Sequence, residues 1–311
     1  MADQLHLGIV VPAFFYVPYW AALEQGFYAD AGLDLTITSF GGIEPVTQAL
    51  RDGSIQVGVG SPEHVIHDVE AGGDLRIVGG NVNRLTHDLI AQPEIKRLED
   101  LRGKVIGVSL LSGGTSSLFI EIMKGVGLEH PRDYTLVAAG VVPPRHEMLM
   151  RREIDAGMQT DPHNYIAEDA GLSNLGPVSQ WIPYFQFTSV NVRLGWAESH
   201  PDVTTRFLAA SIRGSRWMAD NKADAIALAQ RRMGVEERYA ARAWHDHVGG
   251  DVLPLDLHLD RRSIQTAMDM IRNDRSASFT IPGDAPPGRY VAQCFLRQAQ
   301  VAAGVPEHTL A

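Results

Sequence analysis

The chain has a single cysteine, Cys294, in 311 residues. No disulfide can close within it, and no cysteine-rich zinc site can be built. Cys294 stands in the apolar helical pattern YVAQCFLRQAQ and is expected to pack. Positive charge is also scarce. Lys and Arg number 27 against 37 Asp and Glu, a formal charge of −10, with no basic block or basic helix. Nucleic acid and anionic membrane surfaces are thereby disfavoured as partners. No apolar run approaches the roughly 20 residues of a membrane-spanning helix, so no membrane insertion is expected. Two catalytic motifs are missing. LLSGGTSSLF (110–119) lacks the Lys of a P-loop and the G-x-S-x-G elbow of a hydrolase. No charged region, apolar region or cleavage site precedes LHLGIVV, which begins at Leu5 and reads as the first strand. The protein is expected in the cytoplasm if Met1 is the native start, and in the periplasm if a leader was removed.

What is present is an α/β alternation long enough for two domains. LHLGIVV is followed by a predicted helix around Tyr16–Ala31, then DLTITSF, a helix around Glu44–Arg51, IQVGVG, a helix from Pro62 to Ala71, and LRIVGGN. The second stretch, from about Lys104, repeats this order. At one constant offset Gly8 falls on Gly107, Thr36 on Thr135, Gly41 on Gly140, Pro45 on Pro144, Leu50 on Leu149, Ile55 on Ile154 and Gly58 on Gly157. One insertion later, Pro62 answers Pro162. Two lobes of similar wiring are therefore expected, residues 1–88 and 190–311 forming lobe 1 and 89–189 lobe 2. LTHDLIAQ (85–92) and FQFTSVNVR (185–193) read as strands crossing between them. Four later segments read as helices packing around lobe 1. TIPGDAPPGRY (280–290) reads as a loop before a last helix.

Ligands of open α/β sheets bind beyond the carboxyl ends of the strands. Two such lobes would bring their strand-end loops to one cleft, and those loops hold the candidate residues. Phe14, Phe15 and Tyr16 would form an aromatic wall or else lie in the core, where Trp20 is expected. Gly41 and Gly42 would let backbone approach a ligand or simply turn. Ser61 is a helix cap, and Glu63 and His64 beside it would bond a ligand or form an acid/base pair. Asn81 and Asn83, near Arg84, suit a carboxylate or carbonyl. Ser112, Gly113, Gly114, Thr115 and Ser116, with Ser117, open a helix whose free N–H groups would hold an anion, unless they merely cap it. Arg145, after VVPP, would grip a carboxylate or sulfonate bidentately; its alternative is a surface charge at a helix start, which the dipole disfavours. Gln159 and His163 would face the ligand, Asp161 capping the helix before Pro162. His64 and His67 lack a third ligand, and the HDH run at 245–247 alternates around its helix, so no metal is expected.

One longer run carries a family resemblance. VPYWAALEQGFYADAGLDLTITSFGG resembles the opening of the nitrate/sulfonate/taurine and thiamine-pyrimidine-precursor class of ABC-type substrate-binding proteins. IKRLEDLRGKVIGV resembles the entry to that class's second lobe, and IDAGMQTDPHNYIAE its second-lobe strand and helix. The resemblance, over most of residues 5–220, implies a two-lobed type II periplasmic-binding-protein fold with two crossover strands, a small-molecule ligand and an ABC permease as partner. The same fold serves a thiamine-pyrimidine synthase, which depends on a cysteine-rich run, and a decarboxylase. GGTSSLF and the lone Cys294 disfavour the first. The expected function is capture of a small organic anion, an aromatic carboxylate or sulfonate or a pyrimidine-like compound, by lobe closure. The alternative is a cytoplasmic cofactor-free decarboxylase or C–C lyase acting on an aromatic acid, with Glu63, His64 and His163 moving protons. Neither reading calls for a cofactor.

Overall fold

The computed structural model describes residues 2–111, 114–249, 252–273 and 279–310. Among them the strands are β1 (Asp3–Ile9), β2 (Leu33–Ser39), β3 (Val57–Gly60), β4 (Leu75–Val82), β5 (Asp88–Ala91), β6 (Val105–Val108), β7 (Thr135–Ala138), β8 (Ala156–Gln159), β9 (Ser173–Pro177) and β10 (Thr188–Arg193). They form two five-stranded sheets, ordered β2-β1-β3-β10-β4 and β7-β6-β8-β5-β9. Packing divides the chain into two compact units. The first is Met1–Arg84, Phe185–Met268 and Ile281–Ala311, and the second is Leu85–Tyr184 and Asp269–Thr280.

In the first unit β1 runs parallel to β2 and β3, whereas β10 runs antiparallel to β3 and β4. β3, Val-Gly-Val-Gly, is buried at every position, as a central strand covered on both faces must be. The helix expected over Tyr16–Ala31 is two helices, Val17–Glu24 and Phe27–Asp30, because Gly26 between them sits at φ 73°. The rings of Tyr28 and Phe207 stack at 5.6 Å, and Tyr19 stacks on Phe207 at 6.4 Å. Phe207 belongs to the helix Pro201–Asp220, which approaches the helix Val17–Glu24 closely. A Cβ on Gly214 would lie 2.2 Å from the Pro18 carbonyl oxygen. The helix Gln293–Ala302 buries Phe295, Leu296, Ala299 and Gln300. Cys294 is exposed on that helix, contrary to the expectation that it packs. The apolar stripe has a helical period, and position 294 falls beside it.

In the second unit β6 runs parallel to β7 and β8, and β5 runs antiparallel to β8 and β9. Each sheet thus carries an antiparallel strand from one of the two expected crossing segments. Ile90, Leu149, Ile154 and Ala167 form a core cluster here. The repeat is visible in the packing of both units. A Cβ on Gly8 would meet Ile55 Cδ1 at 2.5 Å, and one on Gly107 would meet Ile154 Cδ1 at 2.4 Å. The expected match of Pro62 with Pro162 differs in detail. Pro62 opens the helix Pro62–Glu70 behind the Ser61 cap, whereas Pro162 follows a cis peptide bond and is itself the residue before the helix His163–Asp169. Asp161 therefore does not cap that helix, which has no side-chain cap.

Candidate functional site

The second unit holds an unusual charge. Arg145 lies in the helix Val142–Met150 and is 1% exposed. Its Nε donates to the Met158 carbonyl at 2.8 Å, and Nη1 donates to the Gly140 carbonyl at 2.8 Å. Both acceptors sit at the carboxyl ends of strands, Met158 in β8 and Gly140 just past β7. Among the described residues no carboxylate pairs with this guanidinium, and Nη2 carries no hydrogen bond. Burial pulls the arginine's pKa down to about 10, so it stays charged at neutral pH. A buried charge without a partner is costly, and buried arginines are ordinarily paired.

The sheet is shaped to admit this side chain. A Cβ on Gly157 would lie 3.2 Å from Arg145 Cδ, and one on Gly107 would lie 3.4 Å from Arg145 Cγ. In the first unit a Cβ on the corresponding Gly58 would lie 2.6 Å from Leu50 Cδ1 and 3.0 Å from Val46 Cγ1. Val46 is the repeat counterpart of Arg145 and is equally buried. An arginine thus occupies a position that the other unit fills with valine. Packing alone is satisfied by the apolar residue, so the charge at 145 calls for another explanation.

Neutral polar groups surround it. Gln159, which follows Met158 in β8, is 0% exposed, and neither end of its amide has a hydrogen-bond partner among the described residues. His163 and His146 face each other with ring centroids 5.0 Å apart. The His163 pKa is lowered to about 4 by burial, then by His146 and by Arg145. That of His146 is lowered by burial, against the pull of Glu147, and its Nδ1 is buried without a partner among the described residues. His87 is buried, and burial with the Arg145 charge brings it down to about 3. All three imidazoles are neutral at pH 7. Asp88 accepts from Asn164 at 2.8 Å and from Asn174 at 3.1 Å, and Asp161, between Gln159 and His163 in sequence, is buried. A fixed cation with neutral imidazoles and an unsatisfied amide in the same unit suits an incoming anion.

The helix start at 114–117 is partly committed to its own corner. Gly114, at φ 56°, precedes the helix Thr115–Lys124. The Ser109 N–H donates to Thr115 Oγ1 at 2.7 Å, and the Thr115 N–H donates back to Ser109 Oγ at 3.2 Å. Thr115 therefore closes the strand-to-helix turn through Ser109, a residue the sequence did not single out. Ser116 is buried. Ser112 and Gly113 lie outside the described residues.

The first unit's candidates are largely occupied within that unit. Phe14, Phe15 and Tyr16 form the single turn Phe14–Tyr16 and are all buried. Phe14 packs on His247 at 5.1 Å, and Phe15 meets Phe187 edge-on at 5.7 Å. The Tyr16 hydroxyl accepts from the Val10 N–H and donates to the Val59 carbonyl, each at 3.3 Å. Trp20 is buried, as expected. Asn81 accepts from the Tyr19 hydroxyl at 3.1 Å and donates to Thr188 at 3.0 Å. Asn83 accepts from Gln186 at 2.9 Å and donates to the His258 carbonyl at 3.0 Å. Gly41, at φ 75°, donates its N–H to Val10, and Gly42 is the residue before the helix Ile43–Asp52. Ser61 caps its helix by accepting from the Glu63 N–H at 3.2 Å. His64 does not pair with Glu63. Its Nδ1 lies 3.0 Å from Thr47 Oγ1 and 3.3 Å from Glu44, a carboxylate that only folding brings near. Burial lowers the His64 pKa, with Glu44 opposing.

A family model described as "NMT1/THI5 like" matches residues 14–225, more than half of the chain. YtlA of Bacillus subtilis (strain 168), whose name describes it as a binding protein, is 22% identical over 243 residues, covering 72% of this chain and 68% of that one. The alkanesulfonate-binding protein SsuA from Xanthomonas axonopodis pv. citri, solved with bound MOPS, superposes with a TM-score of 0.74 at 17% identity, covering 94% of this chain and 100% of that one. The desulfurization enzyme DszB superposes with a TM-score of 0.67 at 15% identity, covering 96% and 99%. At these identities the structures establish the fold, which is that of the periplasmic binding proteins.

Proposed function

Since the chain belongs to the NMT1/THI5-like family, we propose that it is a solute-binding protein whose ligand is a small organic anion, a carboxylate or a sulfonate. The observation that carries this reading is Arg145, buried, oriented by two carbonyls and lacking an acid partner among the described residues. Its Nη2 would meet the anion's oxygens, with Gln159 and His163 supplying neutral hydrogen bonds and the helix start at Thr115–Ser116 its dipole. An aromatic acid or a pyrimidine-like compound completes the ligand class we put to test. Closure of the units on the ligand and delivery to an ABC permease belong to the same proposal. The names of YtlA and SsuA support it as those of relatives that bind.

A second reading is turnover, supported by the fold likeness to an enzyme that acts on sulfur compounds by its name and by the neutral imidazole of His163, a candidate base. One experiment separates the two. The protein is screened by thermal shift against aromatic carboxylates, sulfonates and pyrimidines, and each hit mixture is analysed by mass spectrometry after incubation. Stabilisation with the compound recovered unchanged supports binding. A product of new mass supports catalysis.

A further inference from the structure

A second cluster lies in the first unit, built from residues with no part in the site above. Asp256, His258 and His308 each offer one donor atom, and these atoms lie within 4.8 Å of one another. His258 Nδ1 is 2.6 Å from one Asp256 oxygen, and His308 Nε2 is 3.0 Å from the other. The two imidazoles stand with centroids 5.0 Å apart.

Backbone and buried amides hold the three groups in place. Leu257, between the first two, adopts φ 58°, a conformation rare for a residue with a branched side chain. Its carbonyl accepts from the Gly80 N–H at 2.8 Å, and the His258 carbonyl accepts from Asn83 at 3.0 Å. Gln300 is fully buried and joins the turn to the C-terminal segment. Its amide donates to the Asp256 carbonyl at 3.1 Å and accepts from the His308 N–H at 3.0 Å. Gln293 donates to the His308 carbonyl at 2.9 Å. His308 therefore reaches a pair 50 residues away through a defined set of bonds.

We infer that Asp256, His258 and His308 form a binding site for a divalent transition-metal ion, of which zinc is the representative. Two imidazole nitrogens and a carboxylate oxygen are the donor set that such ions favour over calcium or magnesium. Donors of a tetrahedral zinc site stand about 3.3 Å apart; the three here lie within 4.8 Å of one another, so side-chain shifts of up to about 1.5 Å bring them onto one ion. An aspartate carboxylate is ionised at neutral pH, as metal binding requires. Three protein donors leave a fourth position to water, and the bound ion ties the C-terminal segment to the turn at 254–258.

The test uses the full chain, stripped with a chelator and titrated with zinc in competition with a chromophoric chelator. The expected result is one ion per chain at micromolar zinc, weakened at least about tenfold in His308→Ala and in Asp256→Asn, and unchanged in His67→Ala and Cys294→Ser. Amide hydrogen exchange near residue 308 slows on adding zinc to the wild type and does not slow in His308→Ala. Absence of binding at micromolar zinc overturns the inference. So does binding that His308→Ala leaves intact, since the ion then sits elsewhere.

Discussion

Replacing Arg145 with methionine separates the role of its charge from that of its stem. Met keeps aliphatic atoms over Gly107 and Gly157 while removing the guanidinium. Two effects on the unliganded fold oppose each other. A pKa drawn from 12.5 to about 10 by burial corresponds to a desolvation cost of about 3 kcal/mol, which the variant recovers. Against this, the carbonyls of Met158 and Gly140 lose their donors, at about 1–3 kcal/mol each where water does not replace them. The net change is expected within about 3 kcal/mol of zero, and the buried Val46 at the equivalent place in the first unit shows an apolar side chain accommodated there. Ligand binding behaves differently. Loss of a charged hydrogen-bonding partner costs about 2–5 kcal/mol, or roughly 30-fold and upward in affinity. Isothermal titration of wild type and Arg145→Met with the best anion of the screen measures this directly. A folded variant that binds within about threefold of wild type, a difference below 1 kcal/mol, would refute the assignment.

Other outcomes follow from the same geometry. Anion binding beside Arg145 should raise the depressed pKa values of His163 and His87, so the bound state takes up protons and affinity strengthens as pH falls from 7 towards 5; titration across that range in two buffers of different ionisation enthalpy reads the proton uptake. For the unliganded fold the sign is opposite. Their folded pKa values of about 4 and 3 lie below the ordinary 6.5, so their contribution to stability is complete above pH 6.5 and declines as pH drops towards 4, which urea melts at stepped pH will show. Gly214→Val should lower stability by about 3 kcal/mol or more, because the new side chain meets the Pro18 carbonyl, and thermal unfolding measures it. Cys294, exposed, should react fully with a thiol reagent under native conditions without loss of the folded far-UV signal.

The alternation of strands and helices was legible because it is local. A buried parallel strand reads as a short apolar run, and helices announce their ends with Pro and Gly. The repeat was legible for the same reason, since Gly8 and Gly107 each make room for an isoleucine that follows at one spacing. The site was legible only where chemistry follows from position along the chain. Arg145 comes after a strand and a proline pair, and that placement singled it out. His87 passed unnoticed because it lies far from Arg145 in sequence, and His146, though next to Arg145, meets His163 only through the fold. The Glu63–His64 pairing was inferred from adjacency, but neighbours on a helix point to different sides, and the real carboxylate is Glu44. Asn81 and Asn83 looked free as residues at a strand end, yet their partners Thr188 and Gln186 arrive from more than a hundred residues away. Cys294 was misplaced by one helical step.

We propose that a small organic anion binds at the buried arginine of the second unit. The most direct measurement is native mass spectrometry of wild type and Arg145→Met with the panel of aromatic carboxylates, sulfonates and pyrimidines, the compounds being recovered afterwards. The expected result is a one-to-one complex with an anionic compound, present in the wild type, lost in Arg145→Met, with the compound unchanged in mass. A complex that persists in Arg145→Met would contradict the site, and a compound recovered with a new mass would contradict the function.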